Sequence, residues 1–246
     1  MKSLLNLVIL GLFLMFSCCA DAAPVGNPNF YISGDSPLNI SMELDILRGG
    51  DIDFCAGNGV TAKMEYESVS SFFLKMGYLL EERNNLQTYF RLGLSEIDIV
   101  DEEGGHIDTD TDLAYGIGLS GILFQFANNV KIGADISYLK SNPEVKTYAW
   151  FNVENIGMEL DYQEFEIALV ISKEIGSFVP YCGIKHSKVE MEIPDNSLTY
   201  QIKMENEDNL GVFAGFDFLV REDSSLNLEG RFLDEQAFSI VFHFGF

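Results

Sequence analysis

Large apolar residues occupy every second position at the end of the chain, from Phe238 to Phe246. One face of the alternation is wholly apolar and the other is small or polar. The apolar face carries Phe238, Ile240, Phe242, Phe244 and Phe246. Successive side chains of a strand point to opposite faces, so this segment predicts a strand with one fully apolar side. Such a face is an aggregation hazard at the end of a soluble β-sandwich, but a strand between lipid and a polar lumen requires it.

The same period of two recurs from residue 40 onwards, and no stretch of useful length shows a helical period. The pattern predicts about ten strands, with eight to twelve compatible with it, each close to the 9–11 residues of a membrane-crossing strand. In the second strand, Met64 and Tyr66 are expected on the same face as Phe72 and Tyr78. The parity between Val179 and Met191 is ambiguous.

Turns of two lengths alternate between these strands. Those near Asn84, Asn128, Ser177 and Asp223 are short, and those near Asp53, Gly105, Ala149 and Ser197 are long. Outer-membrane barrels have short periplasmic turns and long external loops. The sequence therefore predicts an all-β fold, a closed antiparallel transmembrane β-barrel with both termini in the periplasm.

The first 22 residues have the form of a secretory signal peptide. Lys2 precedes an apolar run from residue 4 to residue 16, and Ala20-Asp21-Ala22 fits the small-x-small cleavage rule. Lipidation of Cys18 or Cys19 is the alternative, although Phe16 occupies a position that prefers a small residue. We therefore divide the chain into a signal peptide (1–22), an irregular periplasmic lead-in (23–39) and a barrel (40–246), exported to a bacterial outer membrane.

The net charge of −23 argues against nucleic acid as a partner, because such a chain repels phosphate. A hydrophobic fraction of 47% excludes a disordered acidic chain. Two cysteines, Cys55 and Cys182, remain after the leader, which is too few for a disulfide scaffold. Cys55 falls in the first long loop and Cys182 just after a short turn, so we expect no bridge between them.

Charged residues on the face opposite the apolar one are the candidate lumen residues. They are Glu43, Asp45, Lys75, Arg91, Lys131, Asp135, Glu166, Asp217, Glu229 and Arg231. Eight to ten strands enclose an interior that side chains nearly fill. The same residues therefore fit either an internal salt-bridge network or a narrow wet pore.

Three other motifs are weaker. Residues 116–121 match the dinucleotide fingerprint G-x-G-x-x-G, but they lie inside a strand pattern with no helix to follow. His106 with Asp108, Asp110 and Asp112 has metal-like spacing, and a solvated acidic loop explains it better. His186, with Ser187 and Glu190 nearby, is the candidate for a barrel enzyme, a protease or lipid-modifying hydrolase. We expect no catalytic, cofactor or metal site.

Both ends of the mature chain resemble the major outer-membrane porins of chlamydiae. The residues concerned are 24–28, Pro-Val-Gly-Asn-Pro, and 232–237, Phe-Leu-Asp-Glu-Gln-Ala, before the aromatic end. The likeness covers about twenty residues, and this chain is shorter than those porins and lacks their cysteine-rich first loop. The resemblance implies an outer-membrane barrel with a role in solute diffusion or envelope structure, and an intermolecular disulfide at Cys55.

The terminal Phe246 with Phe242 and Phe244 also resembles the signal that the barrel-assembly machinery reads in outer-membrane barrels. We therefore expect a non-enzymatic outer-membrane protein that contacts lipid, the assembly machinery and small hydrophilic solutes. It would serve as a porin-like channel, a structural envelope protein, or both. A barrel enzyme, or an adhesin that uses the external loops, is the alternative.

Overall fold

The computed structural model describes residues 25–27, 37–47, 49–56, 61–82, 85–101, 105–148, 153–193, 202–206 and 209–246. These residues form fifteen strands and one short 3-10 helix, Ala127–Asn129. The strands are β1 (Leu38–Leu47), β2 (Asp51–Ala56), β3 (Thr61–Glu81), β4 (Leu86–Asp101), β5 (His106–Thr109), β6 (Asp112–Gln125), β7 (Val130–Ser141), β8 (Glu144–Tyr148), β9 (Val153–Glu159), β10 (Asp161–Lys173), β11 (Phe178–Ile193), β12 (Ile202–Asn206), β13 (Leu210–Arg221), β14 (Ser224–Phe232) and β15 (Ala237–Gly245). None of the helices in this part of the chain is long and apolar enough to cross a membrane.

Ten of the strands close into an antiparallel barrel, as the alternation predicts. Their order around the wall is β3-β1-β15-β14-β13-β11-β10-β7-β6-β4, and β4 pairs with β3 to complete the ring. Strand β1 pairs with β15 over nine residues and with β3 over ten, so the first and last strands form an ordinary part of the wall.

The outer surface of the barrel is a continuous apolar belt. Large apolar side chains that would be buried in a soluble protein are 36% to 72% exposed, as in Phe72, Leu94, Ile117 and Phe242. An exposed apolar surface of this extent needs an apolar solvent, and the hydrocarbon core of a bilayer supplies one. The belt therefore identifies the ten strands as membrane-spanning, which confirms the predicted fold class.

A second layer of structure extends from the end of the barrel that carries the long loops. We call it the cap. It consists of β2, β5, β8, β9 and β12 with the extended ends of β3, β4 and β11. Strand β2 bridges β12 and β3 above the shorter strands β1, β14 and β15. The cap encloses an apolar core that includes Ile52, Met64, Ile99, Val145, Met191 and Met204.

The interior of the barrel is polar and the interior of the cap is apolar. This difference corrects part of the sequence-based assignment. Met64 and Tyr66 point into the cap core, whereas Phe72 faces lipid. A β-bulge between Tyr66 and Ser68 inserts one residue and reverses the parity of β3. Strand β11 keeps its parity, but its inward side chains change from polar Lys185 to apolar Met191. That change of chemistry within one strand made its parity ambiguous in the sequence.

The short turns and the start of β1 and the end of β15 lie at the same end of the barrel. The backbone amide of Gly245 donates to the carbonyl oxygen of Asp223 in the β13–β14 turn, at 2.8 Å. Asn39 is paired with Gly245, which places the beginning of β1 at this end too. The predicted signal peptide, residues 1–22, and most of the lead-in lie outside the described residues.

Candidate functional site

The barrel lumen is the candidate functional site, and Arg231, the residue before the end of β14, points into it with no exposed side-chain surface. Its Nη2 atom donates to both carboxylate oxygens of Asp45, at 2.8 and 3.0 Å. Its Nη1 atom lies 3.4 Å from Glu229, and its Nε atom lies 2.8 Å from Glu235. One guanidinium thus serves three carboxylates from two strands and a turn, a use for which its fixed fork of donors is suited.

A second cluster crosses the opposite side of the lumen. Glu43 on β1 lies 3.2 Å from Arg91 Nε and 3.5 Å from Lys75 Nζ. The Tyr89 hydroxyl donates to Asp135 at 2.7 Å, which connects β4 to β7 across β6. Lys75 Nζ stands 4.0 Å from the centre of the Tyr89 ring, a cation–π contact. These groups fill the width of the lumen from β1 to β7.

The third cluster includes a turn as well as the wall. Lys185 on β11 has no exposed side-chain surface and contacts Glu166 at 3.4 Å, Asp234 at 3.1 Å and Glu235. Ser187, one residue pair further along β11, donates to Asp234 at 3.0 Å. Asp234 and Glu235 belong to the β14–β15 turn, which therefore folds into the lumen rather than away from it.

Residues 25–27, from the predicted lead-in, also lie inside the lumen. The backbone amides of Val25 and Gly26 donate to the two oxygens of Glu229, at 3.0 and 2.9 Å. The side chain of Asn27 donates to Asp217 at 2.9 Å. The lead-in was expected to be irregular and periplasmic. Of its described residues, 25–27 are irregular and bind two buried carboxylates of the lumen, whereas Leu38 and Asn39 already belong to β1.

Nine of the ten charged residues singled out in the sequence lie in the lumen or at its edge. Glu43, Asp45, Arg91, Asp135, Glu166, Asp217, Glu229 and Arg231 are at most 3% exposed, and Lys75 is partly buried beside Glu43. Lys131 is further out. It shares the parity of Asp135 but is close to the short-turn end of β7, where it pairs with Glu174 at 3.7 Å.

Sequence reasoning missed several lumen residues. Lys185 was missed because the inward-facing side chains of β11 change from polar to apolar along the strand. Glu164 was missed although it lies two residues before Glu166, on the same face of β10. Asp234 and Glu235 had the composition of an exposed turn. Tyr89 was not recognised as a member of the charge network. Gly118 was the available signal for Tyr89, because a Cβ at Gly118 would lie 2.6 Å from Tyr89 Cε2.

That contact also explains the sequence 116–121 that matched the dinucleotide fingerprint. Gly116 and Gly118 sit inside β6 and face the lumen, where Gly118 leaves room for the Tyr89 ring. The residues around His186 form no joint site, since His186 is exposed and bonded to the backbone of Asn209 while Ser187 points inward. His106 lies 3.6 Å from Asp108 on β5. In the described part of the chain, no group of three or more histidines, cysteines and acids is arranged to hold a metal ion.

Nine buried carboxylates face three buried bases and Lys75 within the part of the lumen that the structure describes. The acids are Glu43, Asp45, Asp135, Glu164, Glu166, Asp217, Glu229, Asp234 and Glu235, and the bases are Arg91, Lys185 and Arg231. A lumen with this excess of carboxylates attracts cations and repels anions. At rest, however, it is filled by its own ion pairs.

The three aromatic residues of the expected assembly signal are on the outer face of β15 or just beyond it. Phe242, Phe244 and Phe246 are 48%, 39% and 58% exposed, at the end that carries the short turns. Cys55 and Cys182 both carry exposed thiols, on the cap and on the apolar belt.

No protein-family model and no curated protein sequence matches this chain. Solved structures with a similar architecture are bacterial β-barrels at 9% to 10% identity. An outer membrane channel from Pseudomonas putida F1 has a TM-score of 0.46 at 9% identity, over 89% of this chain and 99% of that one. The translocator domain of autotransporter NalP from Neisseria meningitidis gives 0.44 at 9%, over 87% and 90%. The outer membrane protein OprG from Pseudomonas aeruginosa gives 0.43 at 10%, over 87% and 98%.

Proposed function

We propose that this chain is an outer-membrane β-barrel with a structural role in the cell envelope, and that its lumen is closed at rest. Small hydrophilic solutes would pass, as in a porin, only when the filling of the lumen rearranges. The observation that carries the proposal is a polar lumen that is filled in part by residues outside its wall. Residues 25–27 occupy the lumen without being part of its wall, and Glu229 and Asp217 hold them there.

The polar lumen argues against a barrel whose only role is to be a rigid body. A barrel that only needs stability gains more from an apolar interior than from buried ion pairs, whose desolvation offsets much of their attraction. Twelve charged side chains are nevertheless buried in the described lumen, with carboxylates in excess. This composition supports conditional passage of small cations better than a permanently dry core.

Planar-bilayer conductance of the refolded mature chain tests the proposal. We expect no steady current from the wild-type chain. We expect cation-selective current when residues 25–36 are deleted and Asp234→Ala/Glu235→Ala is added, because both groups of residues that fill the lumen from outside its wall are then removed. Heat-modifiable migration would show that both chains are folded. Steady wild-type channels would contradict the closed resting state, and a silent variant would leave the structural role alone.

The porin resemblance at both ends of the chain agrees with this role. It reaches only the residues around 24–28 and 232–237, and the parts of these segments at 25–27 and 234–235 belong to the lumen filling. We infer from it a role in the envelope of a bacterium and in diffusion, and no solute identity.

A further inference from the structure

The wall of the barrel is not equally high on all sides. Strand β14 ends at Phe232 and β15 begins at Ala237, level with Leu47 of β1. On both sides of this hairpin the wall continues, since β3 runs from Glu81 to Thr61 and β12 precedes β13. Strand β2 spans the space above from β12 to β3. The shorter strands therefore leave a window in the wall, framed by β13, β2 and β3.

The cap closes the direct route along the barrel axis. Its core contains fifteen buried apolar residues, among them Ile97, Ile99 and Met191, stacked beyond the polar part of the lumen. A hydrated solute entering this core would lose its water without a replacement hydrogen bond. The window under the cap is a polar alternative route, because the polar side chains of Ser187 and Lys185 lie in the lumen at that level.

Residues 233–236 fill the window, and we call them the latch. The backbone amide of Gln236 donates to the carbonyl oxygen of Gly49, at 3.3 Å. A Cβ at Gly50 would lie 3.3 Å from the carbonyl oxygen of Asp234, and a Cβ at Gly211 would lie 2.5 Å from Asp234 Cγ. Glycines on both sides of the window thus leave the space that the latch occupies.

Two properties of the latch set it apart from a structural turn. Leu233 has φ +87°, a left-handed conformation that is strained for a residue other than glycine, and its side chain is 72% exposed. The latch also brings surplus charge. Glu166, Asp45 and Glu229 already supply three carboxylates to the two bases Lys185 and Arg231. Asp234 and Glu235 add two more, so removing them leaves both bases paired.

We propose that residues 233–236 are a gate over a side window of the lumen, beneath the cap. The gate is held by Asp234 and Glu235 against Lys185, Ser187 and Arg231, and its opening exposes the carboxylate-lined lumen to small cations. The inference rests on the proposed conditional passage for its purpose, but the opening itself can be measured without any current.

The test is the rate at which a small cationic thiol reagent, a trimethylammonium methanethiosulfonate, modifies Ser239→Cys, a lumen-facing position of β15 that has no exposed surface and is not among the residues that hold the latch. The background carries Cys55→Ser and Cys182→Ser, and the protein is held in lipid nanodiscs so that both ends are accessible. Asp234→Ala/Glu235→Ala should raise the rate at least about tenfold, because the wall acids keep Lys185 and Arg231 paired while the window empties. The matched control is Glu222→Ala/Asp223→Ala, an acidic pair in the exposed turn at the opposite end, which should leave the rate unchanged.

A disulfide that holds the latch closed gives the opposite test of the same route. With Gly211→Cys and Asp234→Cys, the two sulfurs fall within disulfide reach, and oxidation should lower the rate at position 239 below that of the unlocked chain. Equal rates with and without the latch carboxylates would overturn the gate. Rapid modification in the oxidised lock would overturn it as well, since the route would then bypass the window. Bilayer conductance of the wild-type chain tests the proposed function separately, so the two failures are distinguishable.

Discussion

A single nitrogen of Arg231, Nη2, donates to both oxygens of Asp45, although their strands β14 and β1 are separated by β15. The pair therefore ties the two ends of the chain's barrel together through its interior. Because neither side chain is exposed to solvent, removing one partner leaves an uncompensated charge rather than a hydrated one.

Arg231→Met should accordingly destabilise the folded barrel by about 3–5 kcal/mol, because three carboxylates lose their shared guanidinium. Asp45→Asn added to Arg231→Met should recover part of the loss. Urea unfolding in detergent micelles, followed by far-UV circular dichroism of the strands, measures both. Lys188→Met removes a base from an exposed pair with Glu190 on the cap and should change nothing measurable. Similar losses at the two positions would contradict the buried network.

Much of this architecture follows from local chemistry that a sequence records. The period of two in β1, β4, β10 and β15 defines lipid and lumen faces because each strand crosses one apolar slab. The change from a polar lumen to an apolar cap core could not be predicted in this way. It depends on where the hydrocarbon layer ends, and on a bulge at Tyr66/Ser68 that has no residue signature of its own.

The sequence predicted which residues face the lumen, but not which of them form pairs. Asp45 and Arg231 are 186 residues apart, and only the closure of the ring between β1 and β15 brings them together. The latch was not predictable, because Asp234-Glu235-Gln236 has the composition of any solvated turn. Its burial follows from Lys185, whose inward direction the mixed pattern of β11 concealed.

The packing of Tyr89 against Gly118 gives a second prediction. Gly118→Ala should destabilise the barrel or prevent its folding, because the added methyl group would overlap the Tyr89 ring. Gly118→Ala with Tyr89→Ala should restore folding. Tyr89→Phe alone should cost about 1–3 kcal/mol, because it takes one hydrogen bond from the buried carboxylate of Asp135. Heat-modifiable migration and urea unfolding measure the series, and a well-folded Gly118→Ala single variant would contradict the contact.

The apolar cap core gives a third prediction. Ile99 is fully buried there, whereas Leu94, five residues earlier on β4, is 50% exposed on the lipid belt. Ile99→Ala should destabilise the cap by about 2–5 kcal/mol through the cavity it leaves. Leu94→Ala should cost clearly less, because lipid or detergent can fill the space. Protease resistance of the cap in micelles distinguishes the two variants, and equal sensitivity would argue against an apolar core above the lumen.

Assembly provides the fourth prediction. Deleting Phe246 should lower the yield of heat-modifiable, membrane-inserted protein, because the residue ends the apolar face of β15 that completes the outer belt. Phe244→Ser, on the same face, should do the same. Val241→Ser is the matched control for assembly, since this side chain points into the lumen and is 1% exposed. Unchanged insertion of the deletion and of Phe244→Ser would count against the signal.

The two thiols provide the fifth prediction, through their positions along the barrel. Cys55 is paired with Lys203 on the cap, and Lys203 is paired with Glu192 of β11. Cys182 lies on the same strand β11, opposite Ile171 and Ala214, on the lipid-facing side. The two cysteines are thus separated by a strand length on the order of 30 Å, against the roughly 7 Å between Cα atoms that a disulfide allows.

An impermeant sulfonated maleimide applied to intact cells should therefore label reduced Cys55 and spare Cys182, because the apolar belt places Cys182 in lipid. Denaturation in SDS should make both react, which serves as the control for thiol reactivity. If Cys55 cross-links neighbouring chains, a dimer in unreduced gels should disappear in Cys55→Ser and persist in Cys182→Ser. Equal labelling of both thiols on cells would contradict the position of the belt. A Cys55–Cys182 peptide from unreduced monomer would contradict the barrel topology itself, since no strand tilt brings the cap residue down to the level of Cys182.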